Sequence, residues 1–386
     1  MTRRFYWVLI VFVILTSSGI RFAHGAHHDH DEVSHRIFVL DEVGSELVYL
    51  DVRAHRVVSS GEVSVSAYTG GMVSERGRFL ALVNEHDRTV QVWSSGLVLE
   101  EHGDHYDLAA LAPQLFWEHR TAGSPSLAAS GGQDFLVSNP EHHTIGWLRS
   151  QDGLQVIVPN ADGPAALDGH HLAVSDAGLR LVDVYDLHTL ERLASFRVQQ
   201  APSQLAVSRR HLIVAYESGL EIVDLDSLDT TRYGELPLQN PRDVFASPDG
   251  HQAFVLVDDG VVQVDVATGS YSYVGIPDPA FWAVNETYTY LSVVSASERQ
   301  AHVFSLDEHE LVETAVLAIP GTSDPRAAVW VGRDLAVAVG QEVVIQAFDG
   351  RPRDTVELGF VPGALHTAFI PAEDRVMDDH HHDHDH

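Results

Sequence analysis

Histidine and aspartate run together three times in this chain. Ala26-His-His-Asp-His-Asp-Glu-Val-Ser-His35 packs four histidines and three acids into ten residues. The chain ends on Asp378-Asp-His-His-His-Asp-His-Asp-His386. Between them, Glu100-Glu-His-Gly-Asp-His105 sits among strand-like sequence. Neutral imidazole is the commonest protein ligand for transition metals, and nearby carboxylates complete or orient such a shell. Histidines separated by zero or one residue can put two or three donors on one ion. The chemistry indicated is capture of zinc, with copper or nickel as alternatives because the same donors suit them.

The candidate ligands follow from these runs. The first run offers His27, His28 and His30. The last offers His380, His381, His382, His384 and His386. Their affinity is expected to be modest, since a polar, mobile segment must be ordered on binding. In the middle run His102 and His105 can share an ion, with Glu101, Asp104 or Asp107 beside them. Here the reading is that Leu97-Val-Leu99 is the outer strand of a unit, so that Glu101–His105 begins a crossover to the next unit. Glu118-His119 is a reserve in the same crossover. His366, heading the last inner strand, is a further candidate. His142-His143 and Asp168-Gly-His-His171 read as turns with solvent-facing histidines, and His211, His251, His302 and His309 as surface residues.

Composition narrows the function classes. There are 25 histidines and no cysteine, which removes thiolate sites, disulfides and cysteine nucleophiles. Twenty-four basic against 55 acidic side chains give a formal charge of −31. Nucleic acid and anionic membrane surfaces require basic patches, so neither is an expected partner. No H-E-x-x-H helix, G-x-S-x-G elbow or phosphate-cradling glycine loop occurs, and no enzymatic activity is expected.

Residues 1–25 have the form of a secretory signal: Arg3-Arg4, an apolar core from Phe5 to Thr16, and Ala23-His-Gly25 before the cut. Cleavage leaves residues 26–35 as a histidine-rich arm and no membrane segment. From residue 36 to 377, apolar runs of four to seven residues alternate with turn signals, as in Asp243-Val-Phe-Ala-Ser-Pro-Asp-Gly250 followed by Ala253-Phe-Val-Leu-Val257. Units begin near Met72, Ser126, Pro164, Gln204, Asp243, Phe281 and Arg326, mostly about forty residues apart, the length of a four-stranded propeller blade. Three strands in Ile37–Ser60 and one in Leu365–Ile370 complete one more. The expected fold is an all-β, closed β-propeller of eight blades (seven as the alternative), with the N- and C-terminal strands sharing one blade. Residues 378–386 form a His/Asp-rich tail.

The signal, the H-H-D-H-D arm, the propeller body and the segment Glu101-His-Gly-Asp-His-Tyr-Asp107 together resemble the AztD-like periplasmic zinc metallochaperones. The resemblance implies a periplasmic propeller that binds zinc and passes it to the solute-binding protein of a zinc ABC transporter. It also implies a tight site of histidines at the propeller mouth, matched here by His102 and His105 with His366, and a mobile site on the arm. The chain departs from that pattern at Pro125-Ser126 and Gly163-Pro164, where inner strands begin without histidine, and in lacking cysteine. These departures imply a depleted buried site. The competing readings are an interaction propeller whose termini merely adsorb metal, and a metal-dependent propeller hydrolase.

Overall fold

The computed structural model describes residues 35–369, except 66, 75–76, 103–104, 132–133, 150–152, 160, 162, 169, 177, 209, 235, 237, 248, 286 and 307–309. It describes the backbone alone at 99–102, 105–108, 131, 149, 153–159, 232 and 234. Residues 1–25, read as a signal, together with His27, His28, His30, Asp104, His309 and the five C-terminal histidines, lie outside the described residues.

Apolar runs such as Ile37-Phe-Val-Leu40 become strands buried on both faces. Ile37 and Val39 pack with Val331, Ala336 and Ile345 on one side. Their neighbours Phe38 and Leu40 pack with Leu80, Leu82 and Trp93 on the other. Successive side chains of a strand point to opposite faces, so a strand between two sheets must be apolar throughout. Outer strands have only their inward positions covered, as in Arg192–Arg197, and there polar residues alternate with half-buried ones.

The strands form eight four-stranded antiparallel sheets. Blade 1 joins the chain's two ends: Pro362–Phe369 pairs with His35–Asp41, followed by Leu47–Arg53 and Arg56–Val63. The inner strands of blades 2 to 8 are Gly70–Val73, Ser126–Gly131, Ala165–Leu167, Gln204–Val207, Asp243–Ala246, Pro279–Val284 and Pro325–Val331. Neighbouring blades touch in this order and the eighth touches the first, so the ring is closed. This radial repetition leaves only short outer edges. The count is eight, as expected, and seven is excluded.

Each blade runs up and down, which separates two faces of the ring. The lower face carries the turns between first and second strands and between third and fourth. The upper face carries the turns between second and third strands and the crossovers. His35 is paired with Phe369, so the described chain enters and leaves the propeller at the lower face of blade 1.

Blade 2 departs from the expected pattern. Its sheet is Gly70–Val73, Phe79–Asn84, Thr89–Ser94 and Gln114–Arg120. Leu97–His102 is not its outer strand; it pairs with His105–Ala110 in a separate two-stranded ribbon inserted at the lower face. Gln114–Arg120 takes the outer place, where Glu118 accepts a hydrogen bond from Gln91 Nε2 at 2.5 Å. Glu101–His105 is therefore part of a hairpin, not a crossover, and Glu118-His119 lies on the outer strand.

Candidate metal centre

The hairpin is fastened at its root by one residue. Arg36, on the second strand of blade 1, is fully buried. Its guanidinium donates to the carbonyl oxygen of Ser95, before the hairpin, and to that of Leu111, after it, the latter at 2.6 Å. Nε pairs with Asp51 Oδ1 at 2.6 Å, and the guanidinium lies 4.4 Å from the centroid of the Tyr49 ring. Gly96 completes the root with φ +76°, and a Cβ there would run into the Leu111 carbonyl and the Arg36 side chain. Only glycine adopts that backbone freely and leaves the space. Leu111 N–H then donates to the Gly96 carbonyl at 2.8 Å.

The register decides which hairpin residues share a face. His102 stands directly opposite His105, and two residues back Glu100 stands opposite Asp107. Positions two apart along a strand fall on the same side of the ladder. The positions of His102, His105, Glu100 and Asp107 therefore fall on one side of the ladder. Glu101 is paired with Tyr106 and falls on the other face. By register Glu100, which counting along the sequence did not single out, shares its side of the ladder with the His102 and His105 positions, and Glu101 is one position out of that set.

His366 lies within the inner strand of blade 1, opposite Phe38. Its Nε2 is sealed from solvent and has no hydrogen-bond partner. Burial lowers its pKa from the ordinary 6.5 to about 4. The flanking inner strands, Gly70–Val73 and Pro325–Val331, contain no histidine or carboxylate. Over the described residues of all eight inner strands the only other such group is Asp243, whose carboxylate accepts from Trp282 Nε1 at 2.8 Å and from the Val244 N–H at 2.9 Å. The channel therefore supplies one imidazole and no described partner for it.

A depressed histidine pKa ties stability to pH in a stated direction. Above pH 6.5 His366 is neutral in both folded and unfolded chains. As pH falls from 6.5 towards 4 the unfolded chain takes up the proton first, and folding stability is lost. At about 1.4 kcal/mol per pKa unit, the loss approaches about 3 kcal/mol. His366→Leu should remove this component. The check is the difference in unfolding free energy between wild type and variant at pH 7 and pH 4.5; an unchanged difference would show that His366 does not titrate this way.

The remaining histidines divide clearly. His302 has both ring nitrogens against carboxylates, Nδ1 at 2.6 Å from Glu313 and Nε2 at 3.2 Å from Glu298. His55 Nδ1 lies 2.7 Å from Asp334 and joins blade 1 to blade 8 at the lower face. His119 stacks on Trp117 at 5.3 Å and, with His142, lines a cavity of about 430 Å³ between blades 2 and 3. His171, His211 and His251 recur every 40 residues, each at the lower-face turn between first and second strands of blades 4, 5 and 6. Among the described residues no three histidine or acidic side chains already converge as a metal site.

No protein-family model matches the chain, and no curated protein matches it. Solved structures do. AztD from Citrobacter koseri is similar with a TM-score of 0.71 at 14% identity, over 88% of this chain and 99% of that one. Its apo structure gives a TM-score of 0.69 over the same shares. The dihydro-heme d1 dehydrogenase NirN in complex with DHE gives 0.63 at 15% identity, over 86% of this chain and 74% of that one. The propeller is thus AztD-like in fold.

Proposed function

We propose that this chain is a periplasmic, non-enzymatic zinc carrier that passes its ion to the solute-binding protein of a zinc ABC transporter. The observation that carries the reading is the join made by Arg36. It is the residue after the His-rich arm, and it grips both ends of the hairpin that bears His102 and His105. The arm's point of attachment and the hairpin's root are therefore neighbours at the lower face. A strand of six residues spans about 20 Å. The tail histidines follow Phe369, which is paired with His35 at the same face.

The likeness to AztD supports the reading at the level of fold, and the histidine runs support it at the level of chemistry. Zinc fits a mixed nitrogen and oxygen shell such as His102, His105, Glu100 and Asp107. Delivery requires ligand exchange, so a two-stranded ribbon outside the eight sheets is a better donor than a closed channel. NirN shows that an enzyme can share this fold, but among the described residues the inner strands here carry no histidine or carboxylate besides His366 and Asp243.

The arm gives the test. Replacing His27, His28 and His30 with Ala is expected to remove one weakly bound zinc and slow transfer several-fold while the fold is unchanged. Unaltered calorimetry together with unaltered transfer kinetics would rule out the capture role.

A further inference from the structure

Blade 4 sets the ring of His170 near those of both His171 and His188 at the lower face, from two turns separated in sequence. The first turn is Asp168–His171, and Asp168 Oδ1 accepts the backbone N–H groups of His170 at 2.6 Å and His171 at 2.5 Å. The second contains Asp186–Thr189, and Asp186 Oδ1 accepts those of His188 and Thr189, both at 2.8 Å. The two turns are tied to each other by the Leu187 N–H, which donates to the His170 carbonyl at 2.8 Å. Their backbones are therefore fixed relative to one another.

The rings on them are close. The His170 and His188 centroids are 5.8 Å apart, edge to face, and those of His170 and His171 are 6.3 Å apart. Two imidazoles on one tetrahedral zinc, each with nitrogen at about 2.0–2.1 Å, have centroids about 5 Å apart. The observed spacings exceed this by about 1 Å. His170 and His188 are exposed, and exposed side chains change rotamer in picoseconds to nanoseconds, so binding would require side-chain rotation on these turns to close that gap.

His171 has the second feature of a ligand. Asp168 Oδ2 lies 3.4 Å from its Nδ1. A carboxylate at one ring nitrogen fixes the tautomer, orients the ring and leaves Nε2 for the metal, the usual arrangement around metal-bound histidine. Asp186 and Asp226 add to the negative field at this ring. A field of that sign favours a divalent cation.

We propose that His170, His171 and His188 form a second metal site on the lower face, of the zinc class, with Asp168 orienting His171. Binding there would cross-link the two turns of blade 4 and leave a fourth position open to water or to a donor from another molecule. The site does not depend on the hairpin: either can fail while the other stands.

The test compares the full chain with its His170→Gln/His171→Gln/His188→Gln variant by equilibrium dialysis against zinc, with folding checked by circular dichroism. The variant is expected to bind one zinc fewer. His188→Gln alone, which leaves the first turn intact, is expected to weaken that equivalent at least tenfold, and Asp168→Asn to weaken it ten- to hundredfold without changing the count. Loss of the hairpin histidines should leave this equivalent in place. Equal zinc counts and affinities in wild type and triple variant would overturn the site, as would anomalous scattering from zinc-loaded crystals with no peak among the three rings.

Discussion

Arg36→Met is expected to destabilise the protein by about 3–5 kcal/mol, the range for removing one partner of a buried ion pair. The side chain is wholly buried, and its loss leaves Asp51 with the Ser59 hydroxyl at 2.6 Å as its remaining listener among polar groups described for it. It also releases the carbonyl oxygens of Ser95 and Leu111 at the hairpin root. A methionine fills much of the volume, so the effect read is mainly the lost charge and hydrogen bonds. The denaturation midpoint should fall at unchanged slope. Amides of the hairpin should exchange faster than those of the blades. Arg36→Met combined with Asp51→Leu should recover part of the loss, since an apolar pair can replace a buried ionic one. A loss below about 1 kcal/mol would mean that the guanidinium does not anchor the ribbon.

His102→Ala with His105→Ala is expected to reduce zinc affinity of the hairpin site by well over tenfold, since even one altered ligand partner costs ten- to hundredfold. The register adds a sharper expectation. Glu100→Ala or Asp107→Ala should weaken zinc, whereas Glu101→Ala, on the opposite face, should not. Affinity should fall as pH drops through about 6.5, where free imidazoles take up protons. Competition with a chelator measures all of these. Equal losses at Glu101 and Glu100 would contradict the placement of the site on one face of the ladder.

The propeller was legible because blade strands are buried on both faces and so spell unbroken apolar runs. Ser126, Gln204 and Asp243 head their inner strands as read from sequence, and Met72 and Phe281 fall within two residues of theirs. The hairpin was not legible. Leu97-Val-Leu99 and Leu115-Phe-Trp117 are equally strand-like, and only pairing with Thr89–Ser94 decides which becomes the outer strand. Nothing in the sequence marks Arg36, because its partners lie 15, 59 and 75 residues away. His170 and His171 read as turn residues, and His188 drew no reading of its own. The signal that could have joined them is the blade repeat itself, which puts every first–second turn beside the third–fourth turn of the same blade.

The central claim is that zinc is held by this chain and handed over by contact. The most direct measurement loads the full mature chain with zinc, mixes it with the zinc-free solute-binding protein of its transporter, and follows transfer by stopped flow. The rate of spontaneous zinc loss to a chelator is measured alongside. The account predicts transfer faster than spontaneous loss, with a rate that rises with recipient concentration and falls when His102 and His105 are replaced. Transfer no faster than spontaneous loss, and indifferent to those two histidines, would contradict it.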